Sequence, residues 1–292
     1  MKTIKVRTPA KINLSLELLN RMNNGYHNIA SVMQTVSLYD YITISVQKSD
    51  SQKILLSGNS DNIPYDDKNI VYKAAKLFCE KADLKNIDIN IFIEKYIPIE
   101  AGLAGGSTNG AGTLIALNEL FDNILSLNEI HTIASLLGSD LNFCLEGGAC
   151  LVSSRGEIIE EKLPFHYFNV VILKPKNIAV STKLCYQTYD IMYNQPKTSL
   201  HSKKIAEIFK NRFTVKELSK YLYNDLELAV KDIYPELDDI KNLLKDNGAI
   251  SSIMTGSGSA VFGIFQNKTN ISVSNNIQCY NVTSIPNGVE II

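Results

Sequence analysis

The spacing of hydrophobic and polar positions changes period along this chain. Over residues 12–18, apolar Ile12, Leu14, Leu16 and Leu18 alternate with polar Asn13, Ser15 and Glu17. A period of two is a strand signal. Residues 41–46 and 87–93 are rich in β-branched side chains and predict two more strands. Residues 69–80 carry Ile70, Val71, Ala74, Ala75, Leu77 and Phe78 at helical spacing, with Asn69 placed to cap. Ser126 and Glu129 form a capping box before a helix over 130–137, and Gly138 ends it. A hairpin is expected from 149–152 and 158–163, then a strand over 168–174. Helical spacing dominates from 205 to 247, with a second capping box at Thr214 and Glu217 and a stop at Gly248. Short strands over 250–254, 260–266 and 289–292 close the chain. Residues 194–204 read as a loop without an assigned role. Mixed strands with segregated helices predict an α+β fold, with a domain boundary near 160–175.

Composition narrows the partners. Of 292 residues 20% are charged, and the formal net charge is -1. No basic bias draws the chain to nucleic acid or to an anionic membrane. The five cysteines form no C-x-x-C pair, which disfavours a disulfide framework or a zinc site and fits a reducing cytoplasm. The basic N-terminal residues are followed by no apolar run, so no signal peptide is expected. The uncharged stretch 247–267 holds Gly248, Gly256, Gly258 and Gly263, too turn-rich for a spanning helix. It reads as strand, loop, strand.

The segment Pro98-Ile99-Glu100-Ala101-Gly102-Leu103-Ala104-Gly105-Gly106-Ser107-Thr108-Asn109 carries the clearest chemistry. It follows the strand over 87–93. It precedes an apolar helix over 111–121, with Leu114, Ile115, Leu117 and Leu120 on the expected inner face. Strand, glycine loop, helix is a phosphate-binding context. Glycines let the backbone approach an anion, and the helix N-terminus adds free N–H groups and a positive dipole. No Gly-Lys-Ser/Thr follows, so this is not a Walker A loop. A Rossmann fingerprint and the protein-kinase landmarks are also missing. A tight turn without ligand is the plain alternative.

This segment resembles the ATP-binding motif of the GHMP kinase superfamily, usually written P-x-x-x-G-L-G-G-S-S-x-A-A. Thr8-Pro9-Ala10-Lys11-Ile12-Asn13-Leu14 is similar to the superfamily's first motif. Met254-Thr255-Gly256-Ser257-Gly258-Ser259-Ala260-Val261-Phe262 is similar to its third. Asn24-Gly25-Tyr26-His27, Ser37-Leu38-Tyr39-Asp40, residues 137–143, Arg155-Gly156-Glu157 and Asn224-Asp225-Leu226-Glu227 look like the 4-diphosphocytidyl-2-C-methyl-D-erythritol kinases. The resemblance implies a two-lobed fold, with a lobe like domain 2 of ribosomal protein S5 over 1–162 and a ferredoxin-like lobe over 163–292. It implies ATP as co-substrate, Mg²⁺ with it, and a cytidine-diphosphate-linked methylerythritol as acceptor, in the non-mevalonate route to isoprenoids. A monomer or homodimer without nucleic acid or membrane is expected. Four positions depart from the pattern. Ala104 replaces a glycine, Gly110 and Gly112 replace alanines, and Asn142 replaces a proline.

By the same resemblance Asp140 is the base and Lys11 its electrostatic partner. A helix cap is the alternative for Asp140, and a solvent-facing strand position for Lys11. Tyr26, His27 and Tyr186 would bind cytosine by stacking and edge contacts. Asn13, Thr182, Gly256 and Gly258 would contact the rest of the substrate. Asn69, Lys95 and residues 98–108 would hold ATP. A core aromatic is the alternative for Tyr26, a surface histidine for His27, a helix cap for Asn69 and a solvated strand end for Lys95. No dedicated metal ligand is found. Another GHMP alcohol kinase, or a silent nucleotide-binding module, remains open.

Overall fold

The computed structural model describes residues 1–23, 25–192 and 200–292. Asn24, and residues 194–199 of the expected loop, lie outside them.

Two long strands, β1 (Lys2–Arg21) and β2 (His27–Lys48), form an antiparallel ribbon that organises the first sheet. Next in chain order come β3 (Lys53–Gly58), α1 (Ile70–Lys81), β4 (Ile87–Glu94), α2 (Gly105–Leu120), α3 (Leu127–Leu137) and α4 (Leu141–Glu146). The hairpin of β5 (Ala149–Ser153) and β6 (Ile158–Leu163) pairs with β2. Then follow β7 (Asn169–Pro175), α5 (Thr182–Met192), α6 (His201–Phe209), α7 (Val215–Ser219), β8 (Tyr223–Asn224), α8 (Asp225–Lys231) and α9 (Glu236–Asp246). The chain ends with β9 (Ser251–Met254), β10 (Val261–Phe265), β11 (Ile277–Thr283) and β12 (Glu290–Ile291). The first sheet runs β12-β1-β2-β4-β3, with β5 and β6 branching from β2 and β8 beside β1. The second runs β11-β7-β10-β9 and is antiparallel throughout.

The expected position 162 falls in β6, just before the second sheet begins. Two later strands, β8 and β12, return to the first sheet. α1, α2 and α3 cover one face of the first sheet through Phe78, Leu114, Leu117 and Ile133 against Ile42, Ile44 and Ile91. A shared core joins the two sheets, packing Ile12 and Leu14 with Ile172, Phe209 and Phe262. β1 is therefore buried on both faces over much of its length. Its polar face, Lys11, Asn13, Ser15 and Glu17, is buried as well. Buried polar groups must find partners, and these do. Glu17 shows how. Its carboxylate accepts from the backbone N–H of Leu200, His201 and Ser202 at 2.9, 3.1 and 2.9 Å, closing the N-terminus of α6.

Burial pushes the Glu17 carboxyl up, but the bonds from Ser202, Leu200 and His201 outweigh it and hold the group below its ordinary 4.5. A depressed folded pKa contributes stability above the unfolded value and loses it as pH falls through the folded one. Glu17→Gln therefore lowers stability by about 1–2 kcal/mol at neutral pH. The gap to the parent narrows as pH drops below 4.5. Melting temperature against pH checks this, and parallel acid limbs would contradict it.

Several expectations need correction. Residues 201–204, read as loop, begin α6, because Glu17 supplies the missing cap from another strand. α5, β3, β8 and β11 are elements that local spacing did not announce. α2 starts at Gly105, not 111, so the glycines form its first turn. From Thr108 to Leu120 α2 is buried except for the half-buried Ile115 and the exposed Glu119, so it has no single inner face. Gly112 suits that packing: a Cβ there would lie 2.4 Å from Thr8 Cγ2.

Candidate active site

The glycine-rich loop, β1 and the loop after β9 meet at one place. Leu103 C=O accepts from the Lys11 N–H at 3.1 Å. Glu100 and Ala101 carbonyls accept from the N–H groups of Ser259 and Ala260 at 3.4 and 3.3 Å. Gly102 fits because a Cβ there would stand 2.1 Å from Thr255 O. The buried Asn224 amide donates to Met254 O and Gly256 O, both at 2.8 Å, and so fixes the Gly256–Gly258 turn. Glu227 accepts from the Met254 N–H at 2.7 Å. The Asn224–Glu227 stretch is thus a brace behind the site.

Glu100, Gly102 and Ala104 take positive φ of 52°, 72° and 57°. The chain turns sharply here, bringing loop N–H groups and the free N-terminus of α2 to one surface. Ala104 sits in the left-handed region, at the position where the family has glycine, and caps α2 with no side-chain bond. An L-residue there costs about 1–2 kcal/mol, partly offset by the backbone freedom a glycine would lose. Ala104→Gly is expected to raise stability by about 0.5 kcal/mol, read as a slightly higher melting temperature. A lower one would mean the methyl's packing wins.

This surface forms one wall of a cavity of about 1070 Å³. Lys11, Asn13, Asn69, Lys95 and Asp140 line it, as do Tyr26, His27, Thr182 and Tyr186. Pro98 to Ser107, Gly256 and Gly258 complete the predicted set on its walls. Thr108 is the exception. It is fully buried beside the Cys144 thiol, because its place on α2 turns it towards α4.

Lys11 Nζ lies 3.7 Å from Asp140 Oδ2 and donates to Asn13 Oδ1 at 2.6 Å. Lys11 is 3% exposed, so the solvent-facing reading fails. Asn13 donates onward to Ser31 Oγ at 2.9 Å. Asp140 precedes α4 with helical backbone and no capping bond, so its carboxylate is free for the cavity. Together they offer a cation, a carboxylate and an amide beside the phosphate-binding loop. That set can orient a hydroxyl, take its proton and offset developing charge. Burial and the Asp140 charge push the Cys144 thiol and Tyr186 phenol up, so both stay protonated.

At one end of the cavity, Tyr26 is exposed with the Arg155 guanidinium 5.2 Å from its ring centre. His27 is packed against Tyr186, ring centres 5.2 Å apart, and its Nε2 lies 2.6 Å from Asp190 Oδ1. Thr182 and Ser257 hydroxyls meet at 2.8 Å. At the other end, Lys95 is not a solvated strand end. It is buried in an ion pair with Asp40 and donates to Asn109 at 3.0 Å. Asn69 caps α1 through Val71 N–H at 2.9 Å and still faces the cavity.

Residues 69–148 match the model of the GHMP kinases N terminal domain, and 205–278 that of the GHMP kinases C terminal. A Caldicellulosiruptor bescii protein named 4-diphosphocytidyl-2-C-methyl-D-erythritol kinase is 40% identical over 91% of each chain. A Clostridioides difficile protein of the same name is 38% identical over 100% of this chain and 98% of its own. The chain belongs to the 4-diphosphocytidyl-2-C-methyl-D-erythritol kinase family of GHMP kinases. A solved 4-(cytidine 5'-diphospho)-2C-methyl-D-erythritol kinase superposes with a TM-score of 0.78, at 26% identity over 96% of this chain and 99% of that one. A homoserine kinase from Cytophaga hutchinsonii shares the fold, with a TM-score of 0.75 at 20% identity over 100% of this chain and 98% of that one.

This small-molecule kinase places further groups at the site that sequence reasoning missed. Asp40 closes the Ser37–Asp40 motif, yet it is fully buried and holds the start of the glycine-rich segment through Tyr96 and Ile97 N–H at 2.7 and 2.8 Å. Asn109 joins it at 3.0 Å. Arg21, Arg155, Lys183 and Asp190 line the cavity. Only the fourfold spacing of Tyr186 and Asp190 on α5 offered a signal, and α5 itself was not foreseen. Asn142, the departure from proline, accepts from His131 at 3.1 Å and donates to Ser135 Oγ and Glu157 O at 2.8 and 2.9 Å. It ties α4 to α3 and to the β5–β6 hairpin.

Proposed function

We propose that this kinase transfers the γ-phosphoryl group of ATP to the 2-hydroxyl of 4-diphosphocytidyl-2-C-methyl-D-erythritol, in the non-mevalonate route to isoprenoid precursors. The Lys11–Asp140 pair carries the reading: with Lys11 buried and Asp140 half-buried, it shares one cavity with the glycine-rich loop and the Tyr26–His27–Tyr186 cluster. Asp140 accepts the hydroxyl proton as the new O–P bond forms and the bond to the β-phosphate bridging oxygen breaks, releasing ADP. Lys11 pairs with Asp140 and offsets the developing charge. Pro98 to Ser107 hold ATP with Asn69, and Lys95 acts from beneath the loop. Asn13, Thr182, Gly256 and Gly258 contact the acceptor. Among the described residues no group of three or more His, Cys, Asp or Glu side chains is placed for a metal. Mg²⁺ would enter with ATP, held by phosphate oxygens and water.

Residues 1–162 form the nucleotide-holding lobe and 163–292 the second lobe in this reading. A cytoplasmic monomer or homodimer fits the five free cysteines. No helix among the described residues is long and apolar enough to cross a membrane. The test is ATP consumption with this acceptor beside homoserine and mevalonate. Turnover confined to the cytidine-linked acceptor is expected. Turnover with another alcohol, or ATP binding without any turnover, would overturn the assignment.

A further inference from the structure

Resting on the reading of Tyr26 and His27 as the base site, we propose that Asp190 makes the enzyme select cytosine over uracil. It does so by fixing the His27 proton on Nε2.

The carboxylate of Asp190 can only accept, so the 2.6 Å contact with His27 Nε2 requires a proton on that nitrogen. In the neutral ring Nδ1 then keeps its lone pair. Among the described residues no protein group is bonded to Nδ1. The second Asp190 oxygen lies 3.8 Å from Arg21 Nη1. That cation shares the carboxylate with the ring. The imidazole is also held in place. Tyr186 packs on it with an interplanar angle of 34°, and Tyr189 meets it edge-on at 6.5 Å and 90°. His27 lines the cavity but is only 9% exposed. A half-turn of the ring would keep both ring contacts but carry Nε2 away and break the Asp190 bond.

The two pyrimidines differ where such a nitrogen would meet them. Cytosine presents an amino donor at position 4, and uracil presents a carbonyl acceptor there. A fixed acceptor pairs with the first and is left unpaired against the second. Polar sites of this kind reject the wrong partner strongly, because a desolvated acceptor gains nothing in exchange. Asp190 does not touch the reacting atoms. It is a positioning residue, reached from α5 at the turn after Tyr186.

The experiment compares kcat/KM for the cytidine-linked acceptor and its uridine counterpart, in the parent and in Asp190→Ala. The parent is expected to prefer cytidine by at least ~100-fold. The variant should lose at least ~10-fold of that ratio as Nδ1–H rings appear and the acceptor is lost. A merely structural loss would lower both substrates together and leave the ratio unchanged, which overturns the proposal. If the variant does not fold, the nitrogen-15 spectrum of the parent decides, with His27 assigned by His27→Gln. A neutral ring protonated on Nε2 at about pH 7.5 supports the proposal. A ring protonated on Nδ1, or on both nitrogens, refutes it. If the parent phosphorylates neither nucleotide, the functional reading fails, and the same spectrum still tests the Asp190–His27 arrangement.

Discussion

Asp140→Asn is expected to lower kcat by at least ~100-fold while the protein stays folded and still binds ATP. The side chain makes no capping bond, so its loss costs α4 little. Asparagine keeps the shape but cannot take the hydroxyl proton, and it removes the charge 3.7 Å from Lys11. Among the described residues, the buried Lys11 then keeps only the Asn13 amide oxygen as a hydrogen-bond acceptor. Part of the loss therefore comes from misplaced charge and part from the missing base. The split is measurable. A base deletion lowers kcat with ATP KM nearly constant, whereas a collapsed site raises both KM values. A variant with kcat within about threefold of the parent would remove Asp140 from the chemistry.

Asp40→Ala should give the largest loss of stability, about 3–5 kcal/mol, or roughly 10 °C in melting temperature. Asp40 is 0% exposed and Lys95 is 6% exposed at the side chain. Removing the carboxylate strands the ammonium in a dry place, which is the costly way to break such a pair. It also frees the Tyr96 and Ile97 N–H groups that fix where the glycine-rich loop begins. The ATP KM should rise with the instability. Adding Lys95→Met to Asp40→Ala should recover much of the stability, since the stranded charge is gone, but not the ATP KM. Recovery of both would show that Asp40 only neutralises Lys95 and does not position the loop.

These two residues also show what could be read before the fold was known. Asp140 and Lys11 stood out as candidates through the motifs around them, although their local spacing was ambiguous. Asp140 resembled a cap and Lys11 a surface lysine, and only the fold shows that Asp140 makes no capping bond and that Lys11 is buried. Asp40 had no such signal. Its role depends on β2, β4 and α2 meeting, which are far apart in the chain. α6 was legible from 205 onward by its apolar spacing, but its start was not, because Glu17 caps it from β1. β3, β8 and β11 escaped because their pairing partners lie elsewhere in sequence, and strand formation depends on those partners.

The sequence by itself determined the fold class, the glycine-rich turn before α2 and the two capping boxes, and it singled out Lys11 and Asp140 as candidates. Those depend on spacing, turn chemistry and residue type within short windows. The tertiary structure alone decided that the polar face of β1 is buried. It also decided that Thr108 turns away from the cavity, that Ala104 must adopt a left-handed turn, and that Asp190 meets His27. Each of these depends on surfaces brought together by packing across many residues, and no local pattern encodes the identity of a distant neighbour.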